Sequence, residues 1–180
     1  MYPETTVLHV PETQFRDRLL TWMLGWMIPL AGLMKRRVPW HPLSNALDTR
    51  LPAMTPVFGV MTDHGEKAYP VSLLREQQVV EDTIGGTSLV IFYDPGLDTG
   101  GVFSRQADGR MLSFQTIEVK RPERAAMDIE TGSTWDISGK ANAGALQGRA
   151  LTPLPHFSKM FWFSWAAFHP QTQVAPVQAE

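Results

Sequence analysis

The sequence predicts a mainly β fold, a β-rich α+β arrangement of mostly antiparallel strands forming a barrel or sandwich, with one late helix and an N-terminal membrane helix in front. Three observations predict it. From Val57 onward, short runs of β-branched and aromatic residues alternate with turn residues. Fourteen Gly and fourteen Pro in 180 residues interrupt the chain too often for a helical bundle. Near the start, the sixteen residues from Leu19 to Met34 carry no charge. An apolar fraction of 43% against 19% charged allows a true core, and the length suits one domain with an extension.

Taken in order, residues 1–18 read as a polar, extended start. Residues 19–37 read as a hydrophobic membrane-embedded helix closed by Lys35-Arg36-Arg37. Sixteen helical residues span about 24 Å, short of the ~30 Å hydrocarbon core, and flanking basic side chains can snorkel to the interface. A cleaved signal peptide would carry its basic residues first, whereas here acidic residues precede the run and the basic cluster follows. A buried core helix is the second alternative, disfavoured by the lack of a polar face. Within the run, Thr21, Gly25, Pro29 and Gly32 share one helical side, with Trp22 and Trp26 beside them. Small residues let another helix approach closely in lipid, although Gly and Pro are also common in membrane helices generally.

Residues 38–56, with Pro39, Pro42, Pro52 and Pro56, read as a Pro-rich tether. The globular domain is expected at 57–174 and a flexible tail at 175–180. Val57 to Met61 reads as a strand and Asp63 to Glu66 as a hairpin turn into Lys67 to Pro70. Val71 to Gln77 fits a short helix and Gln78 to Asp82 a strand. Thr83 to Thr87 is turn chemistry, and Ser88 to Tyr93 is a continuous apolar run suited to a buried strand. The runs 102–106 and 110–116 around Asp108-Gly109 predict the clearest hairpin. Further strands are expected at 126–130, 134–137 and 149–151, and a late helix at Lys159 to Phe168, stopped by His169-Pro170.

At this point the chain resembles an uncharacterised bacterial family, a domain of unknown function whose members are often exported. Ala68-Tyr69-Pro70, then Glu81-Asp82-Thr83-Ile84-Gly85-Gly86, carry its first two motifs. Thr131-Gly132-Ser133-Thr134-Trp135, Gly144 to Gly148, Pro153-Leu154-Pro155 and Trp165 to Pro170 follow in the family's order. The resemblance implies a Tyr-Cys-Pro-Leu-Cys segment and a Trp-His pair, groups suited to a soft metal or redox chemistry. This chain departs there. It has Tyr93-Asp94-Pro95-Gly96-Leu97 and Glu76-Gln77 instead, so Gln77, Asp94 and Leu97 mark a degenerate family site.

The remaining residues offer little other chemistry. Cysteine is absent, which removes disulfides, thiolate ligands and cysteine nucleophiles. A net charge of −2 argues against nucleic-acid binding, and Lys120 to Arg124 reads as a solvated tip or partner contact. The five histidines lack metal-ligand spacing. Asp82, Asp94 and Asp98 leave open a metal- or ligand-binding module, and Tyr93, Asp94 and Arg105 an unrecognised enzyme. The aromatic segment 160–168 exceeds what one helical face buries, so Phe161, Trp162 and Phe163 are candidate partner contacts, with burial between the sheet and the N-terminal segment as the alternative. The expectation is a non-catalytic accessory subunit without cofactor, bound to the lipid bilayer of a bacterial inner membrane. Its domain would face the periplasm and brace integral membrane subunits of a respiratory or photosynthetic complex.

Overall fold

The computed structural model describes residues 48–117 and 125–176. The expected membrane helix with Thr21, Trp22, Gly25, Trp26, Pro29 and Gly32, and the charged loop at Lys120 to Arg124, lie outside those residues.

The first strands follow the residue pattern closely. β1 (Pro56–Thr62) and β2 (Gly65–Pro70) form a hairpin across the two residues Asp63-His64. Helix α1 (Val71–Gln77) turns Val71, Leu73 and Leu74 inward. β3 (Val79–Ile84) and β4 (Thr87–Asp94) join through Gly85-Gly86 alone, so both strands extend into the expected turn. Gly85 has a φ of +54°, and a Cβ there would lie 2.6 Å from the His64 carbonyl carbon, so glycine is required twice over.

The hairpin expected around Asp108-Gly109 is corrected. The turn is present, but only β6 (Gln106–Ala107) and β7 (Arg110–Met111) pair across it. β5 (Thr99–Ser104) instead pairs with β4, and β8 (Phe114–Thr116) with β9 (Ala125–Asp128). Each longer run gains a buried neighbour that the local hairpin lacks. β9 also pairs with β10 (Thr134–Asp136), which pairs with β11 (Ala141–Ala143). The expected strand at 149–151 reduces to a single bridge between Lys140 and Ala150.

The expected late helix begins as strand: its first three residues, Lys159 to Phe161, are extended and its last seven helical. β12 (His156–Phe161) pairs antiparallel with β1, and only α2 (Trp162–Phe168) is helical. The backbone of Lys159 adopts a φ of +57°, incompatible with a continuing helix, at a bulge in the β12 pairing. β13 (Gln173–Val174) adds to β2 in parallel.

The described strands form open sheets rather than a closed barrel: β12-β1-β2-β13, β3-β4-β5 and β11-β10-β9-β8, with the small β6-β7 ribbon. They stack as a sandwich of layers. Phe58, Val60 and Tyr69 of the first sheet share a core with Leu89, Ile91 and Tyr93 of β4 and with α1. The alternate β4 residues Val90 and Phe92 face the other way, meeting Phe114, Ala126 and Trp135 of the third sheet. On the outer side of the first sheet, Val57 and Ala68 pack against Trp162, Trp165 and Ala166 of α2.

Of the expected tether, residues 38–47 lie outside the described residues. Residues 48–55 pack along α2: the Thr55 and Ala53 carbonyls accept from the Trp162 and Phe163 amides at 2.8 and 3.0 Å. The Arg50 guanidinium lies over the Trp162 ring, 5.1 Å from its centre.

Candidate functional site

The three positions where the resemblance implies reactive groups come from two separate elements, the end of α1 and the end of β4. Gln78 follows α1 with a φ of +60°, its N–H donating to the Leu74 carbonyl at 2.9 Å. This sharp stop sets Val79 opposite Phe92, and the Tyr93 amide donates to the Gln78 carbonyl at 2.8 Å. Gln77–Gln78 therefore adjoins Tyr93–Asp94.

What fills the site is structural. Asp94 is buried, and its Oδ1 accepts from the Gly96 and Leu97 amides at 2.7 and 3.1 Å, folding the loop over its own carboxylate. Leu97 is 64% exposed and points no reactive atom inward. The Gln77 carbonyl accepts from the Thr116 hydroxyl at 3.3 Å. The cavity bounded by Gln78, Tyr93, Asp94, Ile117 and Ile137 has a volume of about 20 Å³, room for about one water.

The acidic groups near this place do not converge. Asp98, at a φ of +53°, is held by Lys159, by the Tyr93 hydroxyl and by Arg75 at 2.9 Å. The Lys159 ammonium first, then the Tyr93 hydroxyl and Arg75, hold its carboxyl far below the usual range. Burial, then the Asp98 carboxylate, pushes the Tyr93 phenol up. Asp82 belongs to a second group, accepting from Lys67 Nζ at 2.6 Å, the Tyr69 hydroxyl at 2.7 Å and the Thr83 amide at 2.7 Å. Burial alone would raise the Asp82 carboxyl, but the Lys67, Tyr69 and Thr83 donors outweigh it and lower it. Among the described residues no three His, Asp or Glu side chains gather as a metal site. The set Asp82, Asp94 and Asp98 is therefore not assembled.

Nor is the set Tyr93, Asp94 and Arg105. In the β4–β5 register Tyr93 faces Gly100 while Leu89 faces Ser104, which leaves Arg105 beyond the opposite end. There Arg105 pairs with Glu81 at 3.0 Å and donates to the Leu112 carbonyl at 2.7 Å. It ties strands together.

The motifs carrying the resemblance are likewise joints of the scaffold. Tyr69 of the first motif bonds Asp82 of the second. Asp128 is fully buried and accepts from the Thr131 amide and hydroxyl at 2.6 and 2.9 Å, and from the Trp135 indole at 2.8 Å. The Ser133 hydroxyl accepts from the Leu146 amide at 2.9 Å, locking that motif to the Gly144–Gly148 stretch. His169 stacks on Trp165 with ring centres 3.8 Å apart, and its Nδ1 lies 2.8 Å from Glu66. The sequence reading missed Asp128, for which its three-residue spacing to Thr131-Gly132 was the available signal. It also missed Lys159, which lies 61 positions from Asp98 and has no local signal.

The aromatic segment needs one correction. Trp162 is fully buried, its indole N–H donating to the Asp48 carbonyl at 3.1 Å, so it is not an exposed contact. Phe161 is 44% exposed and stacks on Phe163. Among the described residues no helix is long and apolar enough to cross a membrane.

Fold and site together define a layered β scaffold in which the residues of these motifs hold strands and turns in place. The chain belongs to the family described as a protein of unknown function, DUF3179, whose model matches residues 1–172. No curated protein and no solved structure matches it.

Proposed function

We propose that the chain is a non-catalytic, membrane-anchored accessory subunit that braces integral subunits of a membrane complex. The observation that carries this reading is the state of the degenerate site. Its carboxylate closes a turn, its leucine faces solvent, and the adjoining cavity has room for about one water. Catalysis needs titratable groups aimed at a space large enough for a substrate, whereas a binding role needs only surfaces. The uncharged run from Leu19 to Met34 supports the anchoring half of the proposal.

Extraction of the full chain from its native membrane in mild detergent tests the reading. Co-purification with an integral membrane protein in fixed stoichiometry is the expected result. A lone monomer, or full release from membranes by salt without detergent, overturns it.

A further inference from the structure

We infer that the groove between the β1–β2 turn and the end of α2 is a docking site for an arginine-bearing segment of a protein partner. The inference rests on the accessory reading above and names a contact for it. The groove has a volume of about 590 Å³, against about 20 Å³ for the cavity at the degenerate site. Thr62 to Glu66 form one wall, and Phe168, Pro170, Gln171 and Gln173 the other.

Local structure holds both walls in place. The Thr62 hydroxyl spans the turn, with the Gly65 and Ile84 carbonyls at 3.0 and 3.3 Å. The His64 backbone fits against Gly85, where a side chain would collide with it. Opposite, the Thr172 amide donates to the His169 carbonyl at 3.0 Å, and Arg50 holds the Thr172 and Pro170 carbonyls at 2.5 and 3.4 Å. The His169 ring, stacked on Trp165 and 2.8 Å from Glu66, ties one wall to the other. A groove so braced exists before its occupant arrives, which spares binding the cost of ordering it.

Charge selects a cation. Asp63 and Glu66 line the groove, and no Lys or Arg does. The cations of the surrounding elements are committed elsewhere: Lys67 to Asp82, Arg50 to Asp48 and Lys159 to Asp98. Glu81 likewise has Arg105, and Asp94 and Asp128 are filled by backbone and side-chain donors. Among the described residues, by contrast, Glu66 has only His169 as a basic partner and Asp63 has none. Nor do three His, Asp or Glu side chains gather there to hold a metal ion.

The kind of cation follows from Phe168. Its ring is 77% exposed, the most exposed large hydrophobic side chain of the described residues, and it stands in the wall facing the carboxylates. A guanidinium stacks its plane on a phenyl face and offers a fork of donors to a carboxylate in the same pose; an ammonium has neither plane nor fork. Six of the nine lining residues are polar, unlike the mostly apolar lining of a small-molecule pocket. An aromatic anchor within a polar surround is the make-up of a protein–protein contact, where arginine is enriched.

Nuclear magnetic resonance of the full chain in detergent micelles tests this with capped pentapeptides, Ser-Gly-X-Gly-Ser, in which X is arginine, lysine or citrulline, the uncharged counterpart of arginine. The arginine peptide should shift the Gly65 and Glu66 amides saturably, while the Gly109 amide beside the Asp108 carboxylate on another turn stays in place. Its affinity should exceed that of the citrulline peptide at least about tenfold, as a charge-assisted pair requires. Combining Asp63→Asn with Phe168→Ser should weaken arginine-peptide binding by a similar factor. Both side chains are exposed, so an unchanged melting temperature should show that this variant keeps its fold. Absence of saturable shifts, equal affinity for arginine and for citrulline or lysine, or undiminished binding by the variant overturns the inference. So does ethylguanidinium binding as tightly as the peptide, since the groove then takes a free cation and not a chain. None of these outcomes bears on the accessory reading itself, which stands or falls on co-purification with an integral membrane protein.

Discussion

Single residues carry this fold in places where composition gives no hint of it. Asp128 is a buried carboxylate saturated by three donors, so its removal strands the Trp135 indole N–H and the Thr131 groups. Asp128→Ala should destabilise the chain by about 3 kcal/mol, and Asp128→Asn by less because its amide oxygen still accepts. Urea unfolding midpoints check both. Asp82 makes a pH-dependent contribution. Its folded pKa lies below the ordinary 3.8, so the unfolded chain takes up the proton first as pH falls. The stabilisation is complete above about pH 5 and is lost as pH drops through 3.8 toward the folded value. Asp82→Asn should therefore flatten the decline of stability between about pH 5 and pH 2, measured by thermal unfolding across that range.

Elements are set by contacts that their own residues do not announce. Gly59 in β1 is bare because the Trp165 ring lies on it; a Cβ there would fall 2.2 Å from the ring. Gly59→Ala should lift α2 from the sheet and cost about 3 kcal/mol, at the upper end for overpacking. Loss of near-ultraviolet tryptophan signal should accompany the lower melting temperature. The same scale explains the late helix. Lys159 to Phe161 falls within the expected helix, yet pairing of Met160 with Val57 and Phe161 with Pro56 draws it into the sheet. Val71 to Gln77, by contrast, matches the expected helix residue for residue, because its inward and outward positions already follow a helical period.

The described fold is organised about β4. Leu89, Ile91 and Tyr93 enter one core and Val90 and Phe92 a second, so one strand joins two of the three cores of the described fold. Ile91→Ala and Phe92→Ala should each cost about 3–4 kcal/mol. If β4 couples the cores, each variant still unfolds in one transition, with circular dichroism and tryptophan fluorescence coincident. Two separated transitions would show that the cores are independent. The degenerate site belongs to this scale too, since only the β3–β4 register brings the end of α1 against Asp94. That Gln77, Asp94 and Leu97 depart from the implied motif was legible in the residues. That Asp94 is consumed in closing its own turn was not, because an aspartate in a Gly-containing loop is equally suited to solvent, a metal or a backbone amide.

The sequence alone determined the β-rich class, the first hairpin, α1, the buried run of β4 and the family, because each depends on local period, turn residues or ordered motifs. Tertiary structure decided the partners of β5 and β8, the division of the late aromatic segment into strand and helix, and the separation of the three aspartates. The physical reason is common to these. Strand pairing and carboxylate partners are chosen by which distant surfaces must be buried together, and a burial pattern read along one segment does not name the surface that meets it.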